Sequence, residues 1–129
     1  MATVAALEAF EPGMMPGRYL TLRREAAGLS IEQVAAKSAL PLRAAELLRE
    51  AETGRAALPS GAVIWLNRII QIDAHVYGCL VAEIPAGRIC EGCGCTWNDA
   101  CWTEQGPCTW STLTPDFDVC TACAGTLGQ

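Results

Sequence analysis

The chain of 129 residues has no hydrophobic run of membrane-spanning length. A transmembrane helix needs about 20 consecutive apolar residues. The most apolar stretch here, GAVIWLNRIIQIDAHVYGCLV at residues 61–81, is interrupted by polar and charged side chains. The first residues, MATVAALEAFEPGMMPG, also lack the cationic start and apolar core of a secretory signal. We therefore expect a cytoplasmic protein that makes no membrane contact.

Basic side chains are nearly missing from the C-terminal part. Residues 81–129 contain Arg88 against six acidic residues, whereas residues 1–80 contain eight basic and eight acidic ones. The net charge of -5 therefore belongs to the C-terminal part, and an acidic surface repels phosphate. Any contact with nucleic acid must come from the N-terminal part. The predicted domains are an N-terminal arm (1–17), a helical domain (18–84) and a cysteine-rich module (88–129).

Histidine is also scarce, since His75 stands alone. His75 and Cys79 lie four residues apart on a predicted helix and hence on one face. A nucleophile and a base without a third group or oxyanion donors are usually packing residues. We predict that the protein is not an enzyme, and His75 is a candidate for an additional metal ligand.

The N-terminal part carries signals for short helices joined by tight turns. Gly28 can end the first helix, and Ser30 with Gln33 forms a capping-box pattern at the start of the second. Asp73 can cap a short last helix. The other predicted helices lie within residues 18–28, 30–38, 42–53 and 61–71. The pattern predicts a mainly α fold, a five-helix bundle followed by a small cysteine-rich metal-binding module.

Three segments of this part, LRREAAGLSIEQVAAKSAL, LREAETG and GAVIWLNRIIQID, carry a family resemblance. Residues 18–80 resemble the helix-turn-helix domain of the phage-repressor or XRE-type family. The resemblance implies five helices, with the third lying in the major groove of double-stranded DNA. It also implies a transcription regulator derived from a phage or prophage.

The third predicted helix carries arginines, which position a protein on DNA by contacting phosphates. The same helix also carries Glu46 and Glu50, which phosphates repel. An alternative is therefore a protein-interaction adaptor that keeps the helical fold without binding DNA. The candidate DNA-contact residues are Arg43, Arg49, Ser30, Arg23 and Arg24.

Seven of the eight cysteines lie between residues 90 and 123, in the pattern C-x2-C-x-C-x5-C-x6-C-x11-C-x2-C. In a reducing compartment such density favours metal binding over disulfides. The outer pairs, Cys90 with Cys93 and Cys120 with Cys123, can form a closed tetrahedral site of the kind that zinc prefers. A segment of about 40 residues seldom folds on a hydrophobic core alone, whereas a structural zinc contributes on the order of 10 kcal/mol.

The three inner cysteines, Cys95, Cys101 and Cys108, leave three interpretations open. They can bind a second zinc that shares a thiolate with the first, hold an iron–sulfur cluster as an alternative cofactor in a redox-sensing regulator, or pack with a weak disulfide. The segment is similar to zinc-ribbon-like cysteine-rich segments of phage and prophage proteins, which implies a metal-stabilised module. The interleaved residues Trp97, Trp102 and Trp110 are predicted to form its core or to dock a protein partner or a second subunit.

Overall fold

A computed structural model describes residues 14–96, 99–103, 106–111 and 119–123, and this part of the chain is mainly helical. The helices are α1 (Pro16–Ala26), α2 (Ile31–Ala35), α3 (Pro41–Glu52), α4 (Ser60–Leu66) and α5 (Ala74–Ala82). Two short antiparallel strands, β1 (Trp102–Thr103) and β2 (Gly106–Pro107), pair with Trp102 opposite Pro107. The mainly α fold class is confirmed, whereas the XRE-type five-helix arrangement stays a prediction. None of the described helices is both long and apolar enough to cross a bilayer.

The helix ends follow the local sequence signals. The Gln33 backbone N–H donates to Ser30 Oγ at 3.0 Å, and the Ser30 N–H donates to Gln33 Oε1 at 2.8 Å, so the predicted capping box is present. The Asp73 carboxylate accepts a hydrogen bond from the N–H of Val76 at 3.1 Å and caps α5. Gly28 follows α1 with a φ of +74°, a left-handed conformation that favours glycine. These short-range predictions are confirmed.

Predicted helix boundaries were wrong by two or more residues at the start of α1, at the end of α2, which stops at Ala35, and at the end of α4. Helix α1 begins at Pro16, two residues earlier than expected, because proline is well suited to the first helical position, where its missing N–H costs nothing. Helix α4 ends at Leu66, five residues before the predicted end at Gln71. The Asn67 side chain accepts a hydrogen bond from the Ile72 N–H at 3.4 Å, and such a bond from side chain to backbone competes with a continuing helix.

Two buried tyrosines tie loops to the helical core. Tyr19 on α1 is fully buried, and its hydroxyl oxygen accepts a hydrogen bond from the Asp73 N–H at 2.7 Å. Burial raises the pKa of Tyr19 to about 12, although the hydrogen bond from Asp73 acts in the opposite direction. The hydroxyl of Tyr77 on α5 accepts from the Leu58 N–H at 3.0 Å. The segments that lead into α4 and α5 are thereby held against the core.

Helix α1 packs on α3 and α5, and α2 packs on α3. The Arg24 guanidinium on α1 binds the Glu52 carboxylate at the end of α3 at 2.8 Å, with both side chains largely buried. The Thr21 hydroxyl donates to the same carboxylate at 2.8 Å. Gly17 lies directly against the last turn of α3, where the backbone oxygen of Glu52 would be 2.4 Å from an added Cβ. The α1–α3 contact therefore depends on a missing side chain.

Replacing Gly17 with alanine tests this contact. The new Cβ would also lie 2.8 Å from the backbone oxygen of Ala51, so α1 and α3 must move apart. We expect a loss of about 1 to 3 kcal/mol in the free energy of unfolding, measured by urea denaturation. Gly78→Ala in α5 is the matched control because its Cβ meets open space; we expect it to stabilise by about 0.5 to 1 kcal/mol. Equal shifts for the two variants would contradict the close approach.

Candidate metal centre

The core of the C-terminal module consists largely of cysteine side chains. Within the described residues, the buried members of this core are Cys90, Cys95, Cys120 and Val119. The remaining cysteines of the module pack around them, together with Trp110 and Ala122. None of the eight cysteines of the chain forms a disulfide. The thiols are therefore free to bind a metal.

Two groups of four cysteines have their sulfur atoms within 4.8 Å of one another. With zinc–sulfur bonds of about 2.3 Å, tetrahedral ligands lie about 3.8 Å apart and never more than about 4.6 Å apart. Each group can therefore close around one ion with small side-chain adjustments. The first group contains Cys90, Cys93, Cys120 and Cys123, and the second contains Cys93, Cys95, Cys101 and Cys120.

The first C-x2-C pair is positioned by a tight turn. The Gly94 N–H donates to the Cys90 backbone oxygen at 2.8 Å, and the Cys90 sulfur accepts hydrogen bonds from the N–H groups of Gly92 and Cys120, both at 3.3 Å. Hydrogen bonds to a thiolate favour its charged form. Gly92 also admits no side chain, because an added Cβ would lie 2.8 Å from the Cys123 sulfur. The turn therefore faces the second C-x2-C pair at contact distance.

Backbone pairing positions the later cysteines. The Cys108 N–H donates to the Cys101 oxygen at 2.7 Å, and the Cys101 N–H donates to the Cys108 sulfur at 3.2 Å. Trp110 and Cys120 form an isolated antiparallel bridge. The flanking bond from the Ser111 N–H to the Val119 oxygen, at 2.9 Å, extends this pairing. Cys101 and Cys120 thus reach the same cluster from distant parts of the sequence.

The thiols strongly perturb one another. Hydrogen bonds from Cys93 and Cys95 hold the pKa of Cys90 well below its ordinary value. Donating those bonds to Cys90 raises the pKa of both Cys93 and Cys95. Burial raises the pKa of Cys123 to about 12. Protons shared among the sulfurs therefore favour one thiolate at the expense of its neighbours, and a bound cation is needed to deprotonate the others together.

The module rests on the first helix through a buried arginine. Arg23 on α1 is 5% exposed; its Nε donates to the Gln71 oxygen at 2.7 Å and its Nη1 to the Cys93 oxygen at 3.0 Å. Gly94 is packed against the Arg23 side chain, where an added Cβ would lie 2.9 Å from Cδ. Ile89 belongs to the helical core, while the next residue, Cys90, belongs to the module core. The metal centre and the helices therefore share one continuous packing interface.

The arginines and serine predicted to contact DNA lie in different environments. Arg23 is buried as described, Arg24 is paired with Glu52, and Ser30 caps α2. Arg43 and Arg49 lie on the exposed face of α3. We did not predict from the sequence that Arg23 is buried. Arg23 lies four residues after buried Tyr19, which places both residues on one face of the helix.

His75 and Cys79 lie apart from the two cysteine groups. His75 is exposed, with Nε2 3.6 Å from the sulfur of buried Cys79, and neither residue belongs to a four-cysteine group. The Arg88 guanidinium stacks over the Trp110 ring at 4.2 Å from its centroid. Trp97 and most of the predicted arm at 1–17 lie outside the described residues, and only the backbone of Trp102 is described.

Comparisons with protein-family models, with curated proteins and with solved structures find no match to this chain.

Substituting Arg23 tests the link between α1 and the module. In Arg23→Met, the backbone oxygens of Gln71 and Cys93 lose the donor that the buried Arg23 supplies, so we expect a loss of about 1 to 3 kcal/mol in the free energy of unfolding, together with weaker metal binding. Arg18→Met is the matched control, because Arg18 is exposed and its contact with the Glu91 oxygen is long, at 3.5 Å. Chemical denaturation and competition with a chromophoric chelator measure the two effects. An Arg23→Met protein as stable as Arg18→Met would contradict the assigned role.

Removing the metal tests the dependence of the module on the ion. We expect excess chelator to abolish the tryptophan fluorescence signature of the folded module. Most of the helical circular dichroism should persist, because the helical core is built from aliphatic and aromatic side chains.

The pH dependence of metal affinity tests whether thiolates are the ligands. Binding displaces thiol protons, including that of Cys123 with its pKa of about 12, so metal affinity should rise with pH. A rise of at least about tenfold per unit between pH 6 and 8 is expected. Affinity independent of pH would contradict thiolate ligation.

Proposed function

We propose that this chain is a DNA-binding transcription regulator, of the phage or prophage kind, whose C-terminal module is held together by zinc. The outer face of α3 is the observation that carries the proposal. Helix α3 has 12 residues, is preceded by the short capped helix α2, and packs against it. In helix-turn-helix proteins the second helix of such a pair presents residues near its N-terminus to base edges in the major groove.

The first turns of α3 are accessible to a ligand as large as DNA. Leu42 is 89% exposed, and Arg43, Glu46 and Arg49 lie on the same outer face. Arginine binds guanine edges through two hydrogen bonds and also binds phosphates. The two arginines give this face the chemistry required for base and backbone contacts.

The ion pairs of these arginines with acidic residues cost little free energy to break. Arg43 is 3.4 Å from the Glu46 carboxylate, and Arg49 is 2.8 Å from the Glu32 carboxylate. All four side chains are more than half exposed, and exposed ion pairs contribute only about 0 to 1 kcal/mol. A phosphate or a guanine edge can therefore replace either carboxylate at little cost in free energy.

The close spacing of the sulfurs supports single zinc ions over an iron–sulfur cluster. Ligands within 4.8 Å of one another suit four bonds to one ion. An iron–sulfur cluster places several irons and inorganic sulfides between its thiolate ligands, which separates those ligands further. An all-thiolate tetrahedral set is typical of structural zinc.

Selection from a random library of double-stranded DNA tests the proposal. We expect the zinc-loaded full chain to enrich a defined sequence. Arg43→Ala and Arg49→Ala should each weaken binding to it by about 1 to 3 kcal/mol if the arginine contacts a base, and should reduce the salt dependence if it contacts a phosphate. Fluorescence anisotropy at several salt concentrations measures both effects.

Arg68→Ala is the matched control for these variants, because Arg68 is an exposed arginine that lies beyond α4 and outside α3. It removes the same charge and should leave the affinity almost unchanged. Equal losses for all three variants would indicate nonspecific electrostatic attraction only. Full DNA binding by the Arg43→Ala and Arg49→Ala proteins would contradict the assignment of α3.

One observation favours a second candidate function, a protein-interaction adaptor. An apolar cleft of about 360 Å³ lies between α3 and α4. Leu40, 67% exposed, lines this cleft together with Ala44, Leu47 and Trp65. A cleft of this kind accepts the apolar face of an amphipathic helix. The adaptor would use this cleft, whose lining includes Arg43, and would not need Arg49.

Ala62→Trp distinguishes the two candidates because Ala62 lines the cleft and does not lie on α3. Filling the cleft should leave DNA binding within about twofold of the unchanged protein if the regulator assignment is right. If the chain selects no DNA and an amphipathic peptide binds in a manner blocked by Ala62→Trp, the adaptor is correct.

A further inference from the structure

The two cysteine groups overlap in a specific way. Cys93 and Cys120 belong to both groups, and their sulfur atoms are 3.9 Å apart. This separation is close to the edge of about 3.8 Å expected for a tetrahedral zinc–thiolate site. Two tetrahedra that share this edge would use six different sulfurs, with one unshared pair on each side of the edge.

We propose that the module holds two zinc ions bridged by the thiolates of Cys93 and Cys120, a proposal that rests on the zinc-bound module proposed above. The first ion is completed by Cys90 and Cys123. The second is completed by Cys95 and Cys101. The module is then a binuclear zinc–thiolate centre in place of a single zinc knuckle.

The distances around the second position fit this assignment. The sulfurs of Cys93 and Cys101 are 3.3 Å apart, so a terminal ligand lies beside one bridging ligand. Cys95 is fully buried and approaches the shared pair from the turn that follows Cys93. A single zinc bound by the first group would leave the buried thiol of Cys95 and the half-buried thiol of Cys101 without an ion. The second ion gives each of them a ligand role.

The charge balance is compatible with the second ion. One zinc with four thiolates carries a net charge of -2. Binding the second Zn²⁺ forms two new zinc–sulfur bonds as the thiols of Cys95 and Cys101 release two protons, so the net charge of the centre does not change. Cys93 and Cys120, already deprotonated, supply the two bridging bonds. The second site therefore adds no charge to a module that is already acidic.

Cys108 is the seventh cysteine of the module and belongs to neither group. Its sulfur is 3.7 Å from the Cys95 sulfur and accepts the hydrogen bond from the Cys101 N–H. It therefore lies beside two ligands of the second ion and fixes the backbone of one of them. We assign it a positioning role without a bond to metal.

The metal stoichiometry of the full chain tests the proposal. Native mass spectrometry, with zinc quantified by elemental analysis, should give two ions per chain. Cys95→Ser and Cys101→Ser should each reduce the count to one, because a serine hydroxyl stays protonated at neutral pH and binds zinc weakly. Cys79→Ser is the matched control and should retain two ions, because Cys79 lies on α5 and belongs to neither group. One ion in the unchanged protein would overturn the assignment.

Cadmium substitution provides a readout that needs no variant to fold. With ¹¹³Cd in place of zinc, the centre should give two resonances that are scalar-coupled through the shared sulfurs. A single resonance, or two without mutual coupling, overturns the bridging thiolates. A count of one ion leaves the proposed zinc-stabilised module intact, whereas a count of zero overturns both. Selection of DNA is measured separately and depends on neither count.

Discussion

The C-terminal module depends on the close packing of its cysteine sulfurs, two of which, those of Cys93 and Cys120, belong to both four-cysteine groups. A core of hydrocarbon side chains gains free energy by leaving water, and a core of small cysteine side chains gains less for each residue. Neighbouring sulfurs also compete for ionisation: hydrogen bonds from Cys93 and Cys95 lower the pKa of Cys90, and donating them raises the pKa of the two donors. A cation removes the competition because it attracts all of the thiolates at once. With the zinc that we propose, folding of the module and ion binding are one equilibrium.

This equilibrium extends into the helices through Arg23. Its guanidinium joins the Cys93 backbone to the Gln71 backbone, which precedes α5. The next residue along α1, Arg24, binds Glu52 at the end of α3. A continuous series of polar contacts thus runs from the metal centre through α1 to the helix that we propose reads DNA. Any rearrangement at Cys93 changes the environment of a buried charge, which is costly to leave without partners.

The sequence predicted the features that neighbouring residues determine. The capping box at Ser30, the cap at Asp73 and the glycine after α1 each require residues within about four positions, so the local pattern was sufficient. Contacts between distant segments were not predictable in this way. Three features arise only when separate elements pack: the burial of Arg23, the close approach of Gly17 to α3, and the grouping of Cys101 with Cys120. The cysteine spacing indicated a metal site but not which sulfurs would be shared.

Ile89 belongs to the helical core and the next residue, Cys90, belongs to the cysteine core. This adjacency limits how the module can be exchanged between proteins. The predicted domains, 18–84 and 88–129, place the junction between the helical domain and the cysteine-rich module at residues 85–87. A chimaera cut there would carry Ile89 away from the helical core that it fills, and would place Gly94 beside a foreign surface in place of Leu22 and Arg23. Transferring the module to another protein therefore requires the matching face of α1 together with the cysteine segment.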